Sequence, residues 1–322
     1  MQETHQKHMI QRITNIGELG LLVIFAIVFI FFSVSSEYFF TVRNISNILG
    51  QISMTLIAAV GLSIVLISGE VDISIGSLQA VVALPLLLVM NVTGNFWLGA
   101  LAALVAGALI GVINGFIVTK LKVNSLITTL GMFYLLRGFV YIVTKWQPIS
   151  DDSGKDTFFM LGNGKLYRFL PYTAIFMFII LIVFMYILRN TSYGRRLYAV
   201  GGNAEVARAV GINPEKMKFS AFILCSILAS VSAIILASRL GSANHMAGIG
   251  FEFQVVAATV LGGVSLAGGI GNLLGVFLGV LILGTIQNGL GMLNVHTTFQ
   301  LILTGVIIIL AVALDELKKR HA

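Results

Sequence analysis

Gly69-Glu-Val-Asp-Ile-Ser-Ile-Gly-Ser77 decides how this chain is read, because it sets two carboxylates, Glu70 and Asp72, between two apolar runs. Residues 57–67 form the run on one side and residues 78–90 the run on the other. An ionised residue at membrane depth costs about 3 kcal/mol on insertion scales. Backbone that interrupts a helix there is tolerated only where it is buried in protein or lines a watery cavity. A polar break of this kind points to a pathway that moves something across a bilayer.

Composition agrees. Of 322 residues, 57% are hydrophobic and 10% are charged. Soluble domains carry roughly 25% charged residues. This chain has too few charges to cover a soluble globule of its size and reads as a polytopic membrane protein. The net charge of +7 is not a nucleic-acid signal here. In membrane proteins Lys and Arg collect in cytoplasmic loops and set orientation. Cys225, the single cysteine, lies in an apolar run, which excludes an intrachain disulfide framework and a thiol motif. His5, His8, His245, His296 and His321 are scattered, and the His5/His8 pair sits in a polar tail, so no metal site is expected. Leu19–Val34 lacks a small-residue cleavage site and reads as a retained span, not a signal peptide.

A helical span takes about 20 mostly apolar residues, which gives about ten spans in an all-α bundle. They fall near 19–36, 46–68, 77–93, 97–119, 123–144, 171–189, 219–238, 253–267, 273–293 and 298–316. The third and eighth are short and interrupted by Gly or Pro. With both termini in the cytoplasm, thirteen of the 20 basic residues lie inside, six outside, and Arg137 within a span. That bias predicts an N-in, C-in topology. Two connections are long: residues 145–170, a polar periplasmic loop, and residues 190–218, the main cytoplasmic loop. Residues 1–322 therefore read as one transmembrane domain. Leu261-Gly-Gly-Val-Ser-Leu-Ala-Gly-Gly-Ile-Gly-Asn272 echoes the Gly-rich break, leaving an internal repeat and an independent break both open. Gly107-Ala-Leu-Ile-Gly111, Gly111-Val-Ile-Asn-Gly115 and Gly275-Val-Phe-Leu-Gly279 read as close helix packing inside one subunit, ahead of a dimer face.

The cytoplasmic loop carries its own signals. Asn203 is a good N-cap for a short helix over Ala204–Val210, and Gly211 is a good stop. Asn213-Pro214 then starts the next helix, with Pro at its first position. Gly201-Gly202 reads as a tight turn ahead of the short helix, and Val206, Ala209 and Val210 share one face. This is a docking element for a soluble partner, or a helix lying on the membrane surface, which usually carries a larger apolar face.

The chain resembles the ribose-type permease subunits of bacterial ABC importers. Residues 69–77 are similar to that family's Gly-Gly-Ile-Asp-Leu-Ser-Val-Gly-Ser signature. Leu130-Gly131, Arg137-Gly138 and Gln147-Pro148-Ile149-Ser150 follow in the family's order. So do Gly194-Arg-Arg-Leu-Tyr-Ala-Val-Gly-Gly-Asn203, Gly211-Ile-Asn213, Ser238-Arg-Leu-Gly-Ser-Ala243, Ala247-Gly248, Gly250-Phe-Glu252 and Ala257-Ala-Thr-Val-Leu-Gly-Gly263. The resemblance implies a helix bundle used as a pair around a central pathway. It implies a binding-protein-dependent importer of a monosaccharide or similar small polar solute in the bacterial inner membrane. The implied partners are cytoplasmic ATP-binding cassette subunits, a periplasmic solute-binding protein and a second permease subunit, identical or homologous. The coupling residues are then Gly201, Gly202, Asn203, Glu205, Val206, Val210 and Gly211. Glu70 stands where glycine is usual, Phe253-Gln254 where Leu-Asp is usual, and Asn244-His245-Met246 in place of Gln-Pro-Thr. An added carboxylate suits a cationic or amino-sugar-like solute.

The candidate pathway residues are Glu70, Asp72, Ser74, Asn114, Arg137, Glu252 and Asn288. Each has a plainer reading. Asp72 lines the pathway, pins the break, or caps the third span. Glu70 faces the pathway or cytoplasmic water. Ser74, with Ser77, repairs backbone freed by the glycines. Arg137, deep in a span, needs carbonyls or an anion, with Asp72 and Glu252 both in play. Asn114, Gln287 and Asn288 bond between helices or meet solute. Glu252 suits a helix N-terminus and, on the outer side, a docked binding protein. No phosphate loop of the form G-x-x-x-x-G-K-[ST] and no catalytic constellation occurs in the sequence, so no enzyme activity and no bound cofactor are expected, ATP being bound by partner subunits. An ion-coupled secondary transporter using Asp72 and a non-transporting membrane scaffold are the rival classes.

Overall fold

The computed structural model describes residues 2–152, 154, 156–296, 298–303, 305, 306 and 309, with side chains from residue 18 onward. Thirteen helices follow one another among them. They are α1 (Gln2–Ser35), α2 (Val42–Ile67), α3 (Ile75–Val81), α4 (Ala83–Thr93), α5 (Phe96–Thr119), α6 (Ser125–Thr144), α7 (Asp156–Asn163), α8 (Tyr172–Asn190), α9 (Ser192–Gly202), α10 (Ala204–Ala209), α11 (Pro214–Leu240), α12 (Phe251–Leu261) and α13 (Leu273–Met292). Among the described residues, eight stretches are long and apolar enough to cross a membrane: Glu18–Ser35, α2, α3 with α4, α5, α6, α8, α11 and α13. The chain is thus a polytopic helical bundle. The eighth expected span is the 11-residue α12, too short to cross alone. The tenth, 298–316, lies largely outside the described residues, as do Lys155 and the basic residues 318–320.

Polar caps set the helix starts. Thr41 Oγ1 accepts from Asn44 N, Asn95 Oδ1 from Trp97 N, and Asn124 Oδ1 from Leu126 N. Each satisfies an N–H that the helix itself leaves free. Gly94 and Gly241 close α4 and α11 in the left-handed region, at φ +62° and +64°. Pro85, at the third position of α4, has no N–H to give. The run from Ile75 accordingly divides at Val82 into two short helices.

α2 is the central element, buried at every residue from Leu56 to Ile67. Against it and α5 lies α11, brought close by glycine. A Cβ at Gly107 would overlap Ser230 Oγ, one at Gly111 would lie 2.8 Å from Phe222 O, and one at Gly115 2.9 Å from Phe219 Cδ2. Likewise, a Cβ at Gly275 or Gly279 would overlap carbonyl oxygens of Gly262 or Ala258. These patterns pack helices within one subunit, where close backbone approach gives the van der Waals contact that lipid cannot replace.

The described residues between 145 and 170 form a packed cap, with more regular structure than the polar loop that composition predicts. Ile149–Ser150 pairs antiparallel with Ser242–Ala243, and Lys165–Leu166 with Leu170–Pro171. Phe158 of α7 is fully buried, and Gly162 N donates to Ser238 Oγ at 2.8 Å.

Candidate translocation and coupling site

The helical ladder stops at Ile67, and Gly69 turns the chain at φ +84°. Asp72 and Ser74 are fully buried in the non-helical segment that follows. Asp72 Oδ1 accepts from Ser74 N at 2.9 Å and from Ser74 Oγ at 2.6 Å. Asn114 Nδ2, reaching in from α5, donates to Ser74 Oγ at 3.0 Å. Asp72 therefore closes a turn on the residue two places on, and α3 begins at Ile75 with no side-chain cap. It pins the break and does not cap the third span.

The free backbone of the break is satisfied from α6. Ser125 Oγ accepts from Val71 N at 3.2 Å, and Thr129 Oγ1 accepts from Ile73 N at 3.1 Å. Sequence reasoning missed both residues and assigned the repair to Ser74 and Ser77. Ser77 Oγ instead donates across to Phe133 O at 2.7 Å. A polar pair four residues apart on an apolar helix, Ser125 and Thr129, was the available signal.

Arg137 reaches carbonyls, not a carboxylate. Its Nη1 donates to His245 O at 2.9 Å and Ala247 O at 2.8 Å, and its Nη2 to Gly76 O at 3.3 Å. The guanidinium lies 5.7 Å from the Phe133 ring centroid. The ion pair with Asp72 or Glu252 is absent among the described residues, because three backbone oxygens take the donors. Glu252 is buried beside the same spot, where a Cβ on Gly76 would overlap its Oε2. A buried carboxylate is not offered to a binding protein. Asn288 accepts from Asn44 Nδ2 at 2.9 Å, at the end of α2 away from the break, and Gln254 bonds Gln287 at 2.9 Å. The candidates thus form one cluster of Asp72, Ser74 and Asn114, and a second of Arg137 and Glu252 about Gly76, with Asn288 apart from both.

Glu70 faces the loop side. Its Oε1 lies 2.6 Å from Lys218 Nζ, with the two side chains 15% and 23% exposed. The added carboxylate thus has a cationic partner inside the chain in place of a cationic solute. Both residues line a cavity of about 460 Å³ together with Lys122, Arg208 and Glu215. Glu215 Oε1 bridges Lys122 and Arg208.

Three glycine-rich segments meet next to this cavity. Gly269 N donates to Ile67 O at 2.9 Å. A Cβ at Gly201 would overlap that same carbonyl oxygen, and one at Gly268 would lie 2.7 Å from Gly69 Cα and from Gly201 O. The end of α2, the end of α9 and the α12–α13 loop therefore touch backbone to backbone. Gly201 and Gly202 close a helix, α9, instead of forming the expected turn. Tyr198, one turn earlier, donates its hydroxyl to Gly271 O at 2.7 Å, and burial pushes its phenol up to about 12, so it stays a donor.

The loop helix is built as its sequence predicts. Asn203 Oδ1 accepts from Glu205 N and Val206 N, each at 3.0 Å, and Gly211 follows at φ +82°. The helix α10 ends at Ala209, with Val210 in the cap position. Val206 and Val210 are 60% and 71% exposed, an apolar face with nothing on it.

Spanning helices around a buried polar break, with a capped apolar helix on the adjoining loop, define a multi-pass membrane transport subunit. Residues 44–312 match the family described as branched-chain amino acid transport system / permease component, and the chain belongs to that family. It is 40% identical to the ribose import permease protein RbsC of Escherichia coli (strain K12), over 94% of this chain and 93% of that one. It is 37% identical to the L-arabinose transport system permease protein AraH of the same strain, over 94% and 92%. With the L-arabinose ABC transporter permease protein AraH of Azospirillum brasilense the identity is 33%, over 95% and 89%. No solved structure matches the chain.

Proposed function

We propose that this chain is the permease subunit of an ATP-driven, binding-protein-dependent importer of a monosaccharide or similar small polar solute in the bacterial inner membrane. The observation that carries this reading is 40% identity, over 94% of the chain, to a permease named for ribose import, with a permease named for L-arabinose at 37%. In this reading both termini and the 190–218 loop face the cytoplasm. ATP is bound by partner subunits that dock on α10 through Glu205, Val206 and Val210, held in place by Asn203 and Gly211. The binding protein docks on the opposite side, where residues 145–170 form a cap, and a second permease subunit completes the pathway. Movement of α10 passes to the break at residues 69–77 through Lys218–Glu70 and through Gly201. Alternating access is then largely rigid-body rocking of helices about a fixed pathway. Asp72 Oδ1 is held by Ser74, and the relatives are named as import permeases, so nothing in these likenesses favours ion coupling through Asp72.

The test is co-purification from gentle detergent, with ATPase activity assayed on what accompanies the chain, alongside the variant Glu205→Arg/Val206→Asp. A nucleotide-binding subunit should accompany the normal chain and be lost from the variant. If no ATPase accompanies either, the reading fails.

A further inference from the structure

A cavity of about 880 Å³ lies between α1, α8, α9 and α13, lined by Glu18, Met185, Leu188, Arg189, Arg195, Tyr198 and residues 271–274. Its depth is set by the spans themselves. Leu273 is the first residue of one spanning helix, and Arg189 sits in the last turn of another. Both stand at an end of the apolar layer, where lipid headgroups sit. Met185, Leu188, Leu273 and Leu274 supply the apolar lining, and the exposed Arg189 of α8 and Arg195 of α9 supply positive charge.

The charges there are uneven. Among the described residues neither arginine meets a carboxylate within ion-pair distance. Arg195 makes only a long contact, Nη1 to Asn190 O at 3.4 Å. The one carboxylate lining the cavity, Glu18, accepts from Asn272 Nδ2 and keeps its charge, which leaves the two arginines in excess by one, and the Tyr198 hydroxyl goes to Gly271 O. Among the described residues, two guanidiniums with donors left over therefore line a space within the range of small-ligand pockets, about 300–1,000 Å³. Guanidinium forks match phosphate oxygens in pairs. Basic pockets between spanning helices on the cytoplasmic side suit anionic headgroups.

We propose that this cavity binds one anionic phospholipid, its phosphate held by Arg189 and Arg195 and its acyl chains laid along Leu274 and Met185. The leaflet, the inner one, rests on the orientation proposed above; the site itself does not. A lipid here ties α8 and α9 to α1 and α13 beside Gly271, and so stiffens the base of the coupling loop.

The test is native mass spectrometry of the full chain titrated with phosphatidylglycerol or phosphatidylcholine. One phosphatidylglycerol should bind at least tenfold more tightly than phosphatidylcholine. Arg189→Gln/Arg195→Gln should abolish that preference, and Leu274→Trp, which fills the apolar wall and keeps both charges, should weaken it. Arg196→Gln, an exposed neighbour outside the cavity, should leave it unchanged. Retention of the preference in both cavity variants overturns the proposal. So does displacement of phosphatidylglycerol by millimolar inorganic phosphate, which would make this a free-anion site. The readout needs neither solute transport nor an ATPase partner, so its failure is separable from failure of the importer reading.

Discussion

Lys218 Nζ stands 2.6 Å from Glu70 Oε1, joining the first turns of α11, just beyond the loop helix, to the break after α2. The glycine junction at Gly201 ties the end of α9 to the end of α2 by backbone, so the 190–218 loop holds the break at two points. One link is electrostatic and removable by a single substitution; the other is steric and sensitive to one methyl group.

Glu70→Gln and Lys218→Met each leave one half-buried charge alone. The cost should be about 1–2 kcal/mol, between the small value of an exposed pair and the larger one of a buried pair. Each variant should lower the thermal midpoint of the purified chain and cut solute uptake per ATP hydrolysed at least threefold in proteoliposomes. The exchange Glu70→Lys/Lys218→Glu should restore most of both. An exchange no better than the single variants would show that the pair is not the link.

Gly201→Ala and Gly202→Ala should behave differently despite being neighbours. A Cβ at Gly201 would overlap Ile67 O, whereas one at Gly202 meets nothing within 4 Å. Overpacking of this kind costs about 1–3 kcal/mol. Gly201→Ala should therefore lose stability and uptake, with Gly202→Ala close to the parent in both. Equal thermal midpoints for the two variants would contradict the junction.

The break itself was legible because charge and glycine are conspicuous in an apolar run. Asn203 and Asn213 were legible as caps because capping is local chemistry. The packing patterns of Gly107, Gly111 and Gly115 were legible because their spacing is a helix face. The helix α9 was not: Gly201-Gly202 looks like a turn, and the helix is held by burial of Gly194, Leu197 and Val200, a tertiary effect. Nor were the partners of the break and of Arg137. Ser125 and Thr129 lie more than 50 residues from the N–H groups they satisfy, and the carbonyls at His245 and Ala247 more than 100 residues from Arg137. A carbonyl has no residue identity, so the sequence named carbonyls as a class for the buried guanidinium and could point to none in particular. Asp72 and Glu252 were the partners it could name by residue.

Thr129→Val tests the support of the break from α6. Valine keeps the shape and removes the acceptor, leaving the partly buried Ile73 N–H unsatisfied, at about 1–3 kcal/mol. Thr129→Ser keeps the oxygen and should lie near the parent. Hydrogen exchange read over residues 70–76 should rise in the valine variant alone. Unchanged exchange in that variant would remove Thr129 from the account.

Arg137→Lys is the sharpest of these substitutions, because it keeps the charge and loses the reach. The guanidinium fork spans two carbonyls of the 244–250 loop through Nη1 and the Gly76 carbonyl of α3 through Nη2. An ammonium is a single point with three donors and cannot hold oxygens arranged about a planar group. If Arg137 served as counter-ion to Glu252, lysine would serve almost as well. If it serves as a clamp, lysine should release the loop much as Arg137→Met does. Limited proteolysis between residues 244 and 250 separates the two cases: cleavage should speed up at least fivefold in both variants. Protection of the loop in Arg137→Lys, together with its loss in Arg137→Met, would instead make charge the working property and return Glu252 to the role of partner.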